Sequence, residues 1–159
     1  MPKPEYEFFD PLRAGGLTWR PIPGDASGQL SELILSHDPD SGASTRLLRF
    51  VPGTDTVPNG TLTHDVWEEV WILEGSLHDL RLQRTFTAGM YACRPPGMAH
   101  GPWRSEDGCL TFEVRYRCSC APTTRRGDSP IATVPAAGRG PAGSGGSERA
   151  HVGKRQAIE

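Results

Sequence analysis

The sequence has no long apolar run. Its opening, "MPKPEYEFFDPLRAGG", carries charges and prolines where a secretory signal would need an uninterrupted apolar stretch. No later segment approaches the ~20 apolar residues of a membrane-spanning helix, so a cytoplasmic protein that avoids membranes is expected. Strong charge of either sign is also missing. The formal net charge of -2 gives no long-range attraction to nucleic acid or anionic lipid. The four cysteines, Cys93, Cys109, Cys118 and Cys120, show no CxxC or zinc-ribbon spacing. They read as reduced thiols that behave as small apolar residues, and "CSC" has no second pair with which to form a soft-metal clip. Helical periodicity is scarce, and no repeat of fixed period is present.

At 159 residues the chain has room for one domain with a sizeable core. What fills it is a succession of short β-rich runs separated by turn residues. "QLSELILSH" and "TRLLRFV" flank "DPDSGAS", whose Asp, Pro, Ser and Gly supply turn chemistry, and a hairpin is expected there. "EEVWILEG", "SLHDLRL", "FTAGMYACR", "GMAHGPW" and "CLTFEVRYR" follow. Roughly eight to ten strands in all suit an all-β sandwich, jelly roll or small barrel. After Tyr116 the composition shifts to Gly, Pro, Ser and Arg, without aromatics. Such a segment buries too little apolar surface to offset its ordering entropy. The expected organisation is therefore a β domain over 1–120 and a disordered tail over 121–159, where "RGDSP" reads as coincidence.

Two stretches carry chemistry. In "GTLTHDVWEEVWILEG", residues 60–75, His64 precedes the pair Glu68 and Glu69; in "GMYACRPPGMAHGPW", a glycine- and proline-fixed turn leads to His100. Strand residues two apart share a face, so Leu62 and His64 point the same way, and a carboxylate can return to that face after the bend at "DVW". Imidazole nitrogen and carboxylate oxygen suit iron, manganese, nickel, copper or zinc, and separate strands of a barrel hold such donors rigidly. Glu69, next to Glu68, belongs on the opposite face. Glu113 and Arg115 alternate on the last strand and most simply form its polar face. Arg94 either steers a carboxylate or pairs at the surface.

These two stretches resemble the paired signature motifs of the cupin superfamily, small jelly-roll β-barrels with a metal near the barrel centre. The first family motif contains His-x-His, a glutamate after three or four residues and a glycine after six more; this chain has His64, Glu68 and Gly75 at those spacings. The second runs glycine, five residues, Pro-x-Gly, two residues, histidine, and over 89–100 Gly89, Pro95, Gly97 and His100 match it. The run is most similar to the cupin domain of zinc-binding anti-sigma factors and of dioxygenases that cleave diketones or hydroxyacetophenones. The departure is Leu62, which stands where the first histidine of His-x-His should be and cannot bind a metal.

The resemblance implies one divalent metal held by His64, Glu68 and His100, with Fe(II) favoured and zinc, manganese, nickel or copper as alternatives. That set matches the two-histidine, one-carboxylate triad of non-haem iron oxygenases, with Leu62 as an apolar wall. It implies a metal-dependent enzyme acting on a small carbonyl or aromatic compound, with an oxygenase as the leading form. A non-redox isomerase, cyclase or lyase, and a non-catalytic ligand- or metal-sensing barrel, are the alternatives. A homodimer is implied by the resemblance as well. Trp71, Tyr91 and Trp103 cluster around both motifs and either line a pocket for an aromatic substrate or pack elsewhere. His78 is a further residue that could face the cavity.

Overall fold

The computed structural model describes residues 3–117. The tail expected over 121–159, with Cys118 and Cys120, lies outside them. The elements in chain order are β1 (Arg20–Pro21), β2 (Leu30–His37), β3 (Ser44–Phe50), β4 (Thr54–Asp55), a 3-10 turn (Val57–Asn59), β5 (Trp67–Asp79), β6 (Arg84–Thr87), β7 (Tyr91–Arg94), β8 (Trp103–Ser105) and β9 (Cys109–Tyr116). Among the described residues there is no α-helix, and no helix is long and apolar enough to cross a membrane. Every pairing is antiparallel. The strands run in the order β1-β2-β3-β9-β5-β8-β4, with β6 and β7 both pairing with β5.

The expected hairpin forms between β2 and β3. Asp38 organises its turn: its N–H donates to the Ala43 carbonyl and its own carbonyl accepts from Gly42, each at 2.8 Å. Its carboxylate also takes the Ser41 hydroxyl. That is the local chemistry for which Asx residues are favoured in turns.

β5 curls the sheet. Its first half pairs with β9 and β7, and its second half with β6 and β8. Between the halves the register against β9 slips by one residue, between Ile72 and Glu74. A bulge of this kind bends a strand and sharpens its twist. Glu68, Val70 and Ile72 face inward before it, and Leu77 and Asp79 after it. Gly75 sits at the bend with φ 73°, and a Cβ there would overlap the carbonyl oxygen of Gly108. Left-handed backbone and overlap with main chain act together, so Gly75→Ala should cost about 3 kcal/mol. Urea denaturation will read this as a lowered midpoint with an unchanged slope.

Two apolar clusters hold the sheet from opposite sides. Inside the barrel lie Leu48, Phe50, Ile72, Leu77, Trp103 and Cys109, with Ile22, Leu30 and Phe86 packed against them. Burial raises the Cys109 thiol to about 12, as befits an inert core residue. On the outer face Leu33, Leu47 and Leu110 are covered by Leu17, Trp19, Leu35 and Phe112, and the Arg49 guanidinium stacks 3.8 Å from the Trp19 ring centre. A fully buried leucine such as Leu33 contributes roughly 2 kcal/mol. The N-terminal segment thus seals the outer side of β3 and β9 and leaves their inner side to the cavity.

Candidate metal centre

Main-chain bonds bring the two motifs together. Leu62 and His100 exchange N–H···O bonds of 2.9 and 3.0 Å in an isolated antiparallel bridge, and the Gly97 N–H donates to the His64 carbonyl at 2.8 Å. The loop before β5 is therefore zipped to the loop before β8, which sets His64 beside His100 with ring centres 4.9 Å apart. Glu68 arrives from the inward face of β5. Its register neighbours are Arg94 on β7 and Arg115 on β9.

The imidazoles are oriented by the same kind of anchor. His64 Nδ1 lies 3.0 Å from the Val66 carbonyl and His100 Nδ1 lies 2.9 Å from the Met98 carbonyl. A carbonyl only accepts, so each Nδ1 carries a proton, and in the neutral ring that leaves Nε2 as the donor atom, the tautomer that outer partners impose on metal-ligating histidines. The Glu68 Oε2 atom is 3.2 Å from His64 Nε2 and 3.8 Å from His100 Nε2. One ligand atom from each of the three residues falls within 4.8 Å of the others. His64 Nε2 is buried and has no hydrogen-bond partner among the described residues. An orphaned lone pair facing a second imidazole and a carboxylate fits the donor set of a divalent ion, for which an acceptor-only nitrogen needs no other partner.

Glu68 is 4 % exposed. Burial would raise its carboxyl, but the charge and hydrogen bond of Arg94 outweigh that and bring it down to about 2. Burial pushes the His100 imidazole below its ordinary value. Both folded-state values are depressed, so both groups stabilise the fold above their unfolded values and lose that contribution as pH falls. For metal-stripped protein, stability should begin to fall near pH 6.5 through His100 and drop further from 4.5 towards about 2 through Glu68. Urea midpoints across this range will test it, with a shallower acid limb expected in Glu68→Gln.

A cavity of about 230 Å³ opens onto these groups. Leu62 and Trp103 line it, together with Leu48, Phe50, Val70 and Leu77. So do charged residues that the sequence pattern did not single out for an interior. Arg46, from β3, donates to Glu113 Oε2 and Glu32 Oε2, each at 2.8 Å, and Arg20 holds Glu32 from the rim at 2.9 Å. Glu113 is 4 % and Glu32 5 % exposed. The expectation that Glu113 and Arg115 form an outer polar face is corrected: they alternate as expected, but towards the cavity. Arg94 faces the cavity too, with its Nη1 2.8 Å from Glu68 Oε2.

Three expected pocket residues stand elsewhere. Trp71 shares parity with Glu69, not with Glu68, and lies on the outer face at 53 % exposure. Tyr91, its register partner, is 59 % exposed and donates its hydroxyl to Glu69 at 2.8 Å. His78 follows the inward Leu77 by one residue, so it points outward and pairs with Thr85 Oγ1 at 3.0 Å. Glu69 sits on the outer face as expected, held by Tyr91 and Tyr116. A signal for Glu32 and Arg46 was present in strand parity: Glu32 alternates with Leu30 and Ile34, and Arg46 with Leu48 and Phe50, all on one side of the sheet.

Solved structures share this architecture. A cupin of the RmlC-like type from Shewanella frigidimarina superposes with TM-score 0.55 at 17% identity, covering 75% of this chain and 96% of the other. An acetylacetone dioxygenase from Acinetobacter johnsonii gives 0.54 at 15%, covering 71% and 74%. KdgF from Halomonas sp. gives 0.51 at 15%, covering 72% and 97%. At such identities the likeness is one of fold. No curated protein matches the chain significantly. The family model of the ChrR cupin-like domain matches residues 12–117, which take in both zipped loops, the cavity and every strand from β1 to β9, and the chain belongs to that cupin family.

Proposed function

We propose that this cupin is a metal-dependent enzyme for a small oxygen-bearing organic compound, and that His64, Glu68 and His100 hold one divalent ion. The observation that carries this reading is the pair of carbonyl-anchored imidazoles whose Nε2 atoms converge on one Glu68 oxygen, with His64 Nε2 left without any other partner among the described residues. A bound ion supplies Lewis acidity towards a carbonyl or enolate oxygen and, if it is iron, access to oxygenase chemistry. The chain's own part is distinct. Val66 and Met98 fix the rings, Leu62 withholds a fourth protein donor and so leaves room beside the ion, and Leu48, Val70 and Trp103 keep the cavity wall apolar. The likeness to an acetylacetone dioxygenase supports oxygenase chemistry as the leading form of this reading.

Elemental analysis of protein purified without added metal, followed by oxygen uptake with candidate diketones and phenolic ketones, tests it. Iron with substrate-dependent uptake is the expected result. Zinc without uptake would move the reading to an isomerase, cyclase or lyase. His100→Ala should lose bound metal, and full retention in that variant would overturn the proposed ligand set. One observation favours a second reading, a metal-free ligand-binding barrel: Arg94 already places a cation 2.8 Å from Glu68 Oε2. Protein without metal whose ligand binding survives His100→Ala would decide for that reading.

A further inference from the structure

We propose that Arg94 and Arg115 form a carboxylate subsite beside the triad, which favours a small oxo or hydroxy acid over a neutral diketone as the ligand. The inference deepens the function proposed above and rests on it for the ligand's second oxygen donor.

The charges around the cavity divide into two sets. Arg20 and Arg46 with Glu32 and Glu113 form a balanced network, in which Arg46 bonds both glutamates and lies 4.0 Å from Glu68. Arg94 and Arg115 share one carboxylate among the described residues. Among the described residues, Glu68 is the sole acidic group within ion-pair distance of either, at 2.8 Å from Arg94 and 3.4 Å from Arg115. One positive charge is therefore in excess, and a divalent ion on Glu68 would enlarge that excess. Among walls such as Leu48 and Val70 an uncompensated charge is unfavourable, and an entering anion relieves it.

Geometry adds a direction. Arg115 Nε is buried and, despite lying 3.4 Å from Glu68 Oε1, makes no hydrogen bond among the described residues. An inward guanidinium with an unused donor is a preformed partner for a planar carboxylate, which its fork matches in shape. The cavity of about 230 Å³ restricts the ligand to a small molecule. An acid with a carbonyl or hydroxyl one or two carbons from its carboxylate would reach the arginines with one end and the triad with the other.

Acetoacetate and acetylacetone differ by a carboxylate against a methyl ketone and make a matched pair. Titration calorimetry on the full chain, with inorganic phosphate as a third probe and metal content measured on the same samples, tests the subsite. Acetoacetate should bind at least about tenfold more tightly than acetylacetone. Arg115→Gln should erase that preference at unchanged metal content, and Arg115→Lys should restore part of it. Equal binding of the pair, no binding of either, or a preference that survives Arg115→Gln would overturn the subsite. Tighter binding of phosphate than of acetoacetate would overturn the carboxylate assignment. The two proposals fail separately: full metal without preference removes only the subsite, whereas preference in protein that takes no metal removes the metal reading and keeps the subsite.

Discussion

Glu68→Ala should abolish metal retention and lower stability by about 3–5 kcal/mol. The carboxylate is buried, accepts from Arg94, and lies 3.4 Å from Arg115 and 4.0 Å from Arg46. Removing it leaves two inward guanidiniums without the one acidic neighbour they have among the described residues, and breaking a buried pair from one side is far more damaging than replacing both partners. Glu68→Gln keeps the volume and an acceptor oxygen but loses the charge, so it should fall between wild type and alanine. Denaturant midpoints and metal stoichiometry measured on the same preparations will separate the structural loss from the ligand loss. An alanine variant within about 0.5 kcal/mol of wild type would mean that the arginines find other partners and that Glu68 is not the group around which the cavity is built.

The second large effect runs in the opposite direction. Leu62→His should tighten metal retention at least tenfold, since losing merely an outer-shell partner of a metal ligand already costs about 10–100-fold. Leu62 lines the cavity, its backbone is bridged to His100, and it is 37 % exposed, so little apolar burial is forfeited by the change. Competition with a chromogenic chelator gives the affinity directly. Unchanged affinity would place the side chain at position 62 beyond reach of the ion.

How much of this was legible in the sequence follows from what strand periodicity can encode. The spacing of His64, Glu68, Gly75, Gly89, Pro95, Gly97 and His100 was readable because main-chain turns dictate it, and the structure brings both loops together. Alternation with period two gives the parity of each residue but not which side faces in. On β9, Glu113 and Arg115 share one side, and Leu110 and Phe112 share the other. The usual reading sends the charged side to water. Here the apolar side is the outer one, because Leu17 and Trp19 fold across it, and that long-range cover leaves no local trace. On β5 the same ambiguity misassigned Trp71 by its apolar character, although its odd spacing from Glu68 excluded a shared face. For Glu32 and Arg46 parity with apolar neighbours was legible, but their pairing appears only when β2, β3 and β9 are laid side by side.

The bridge between Leu62 and His100 has an evolutionary corollary. Because main-chain bonds at position 62 join these two loops whatever side chain it carries, that side chain is an interchangeable fitting in a fixed socket. A lineage could trade histidine for leucine there, or back again, and alter its preferred ion or ligand without first having to reinvent the scaffold that presents it.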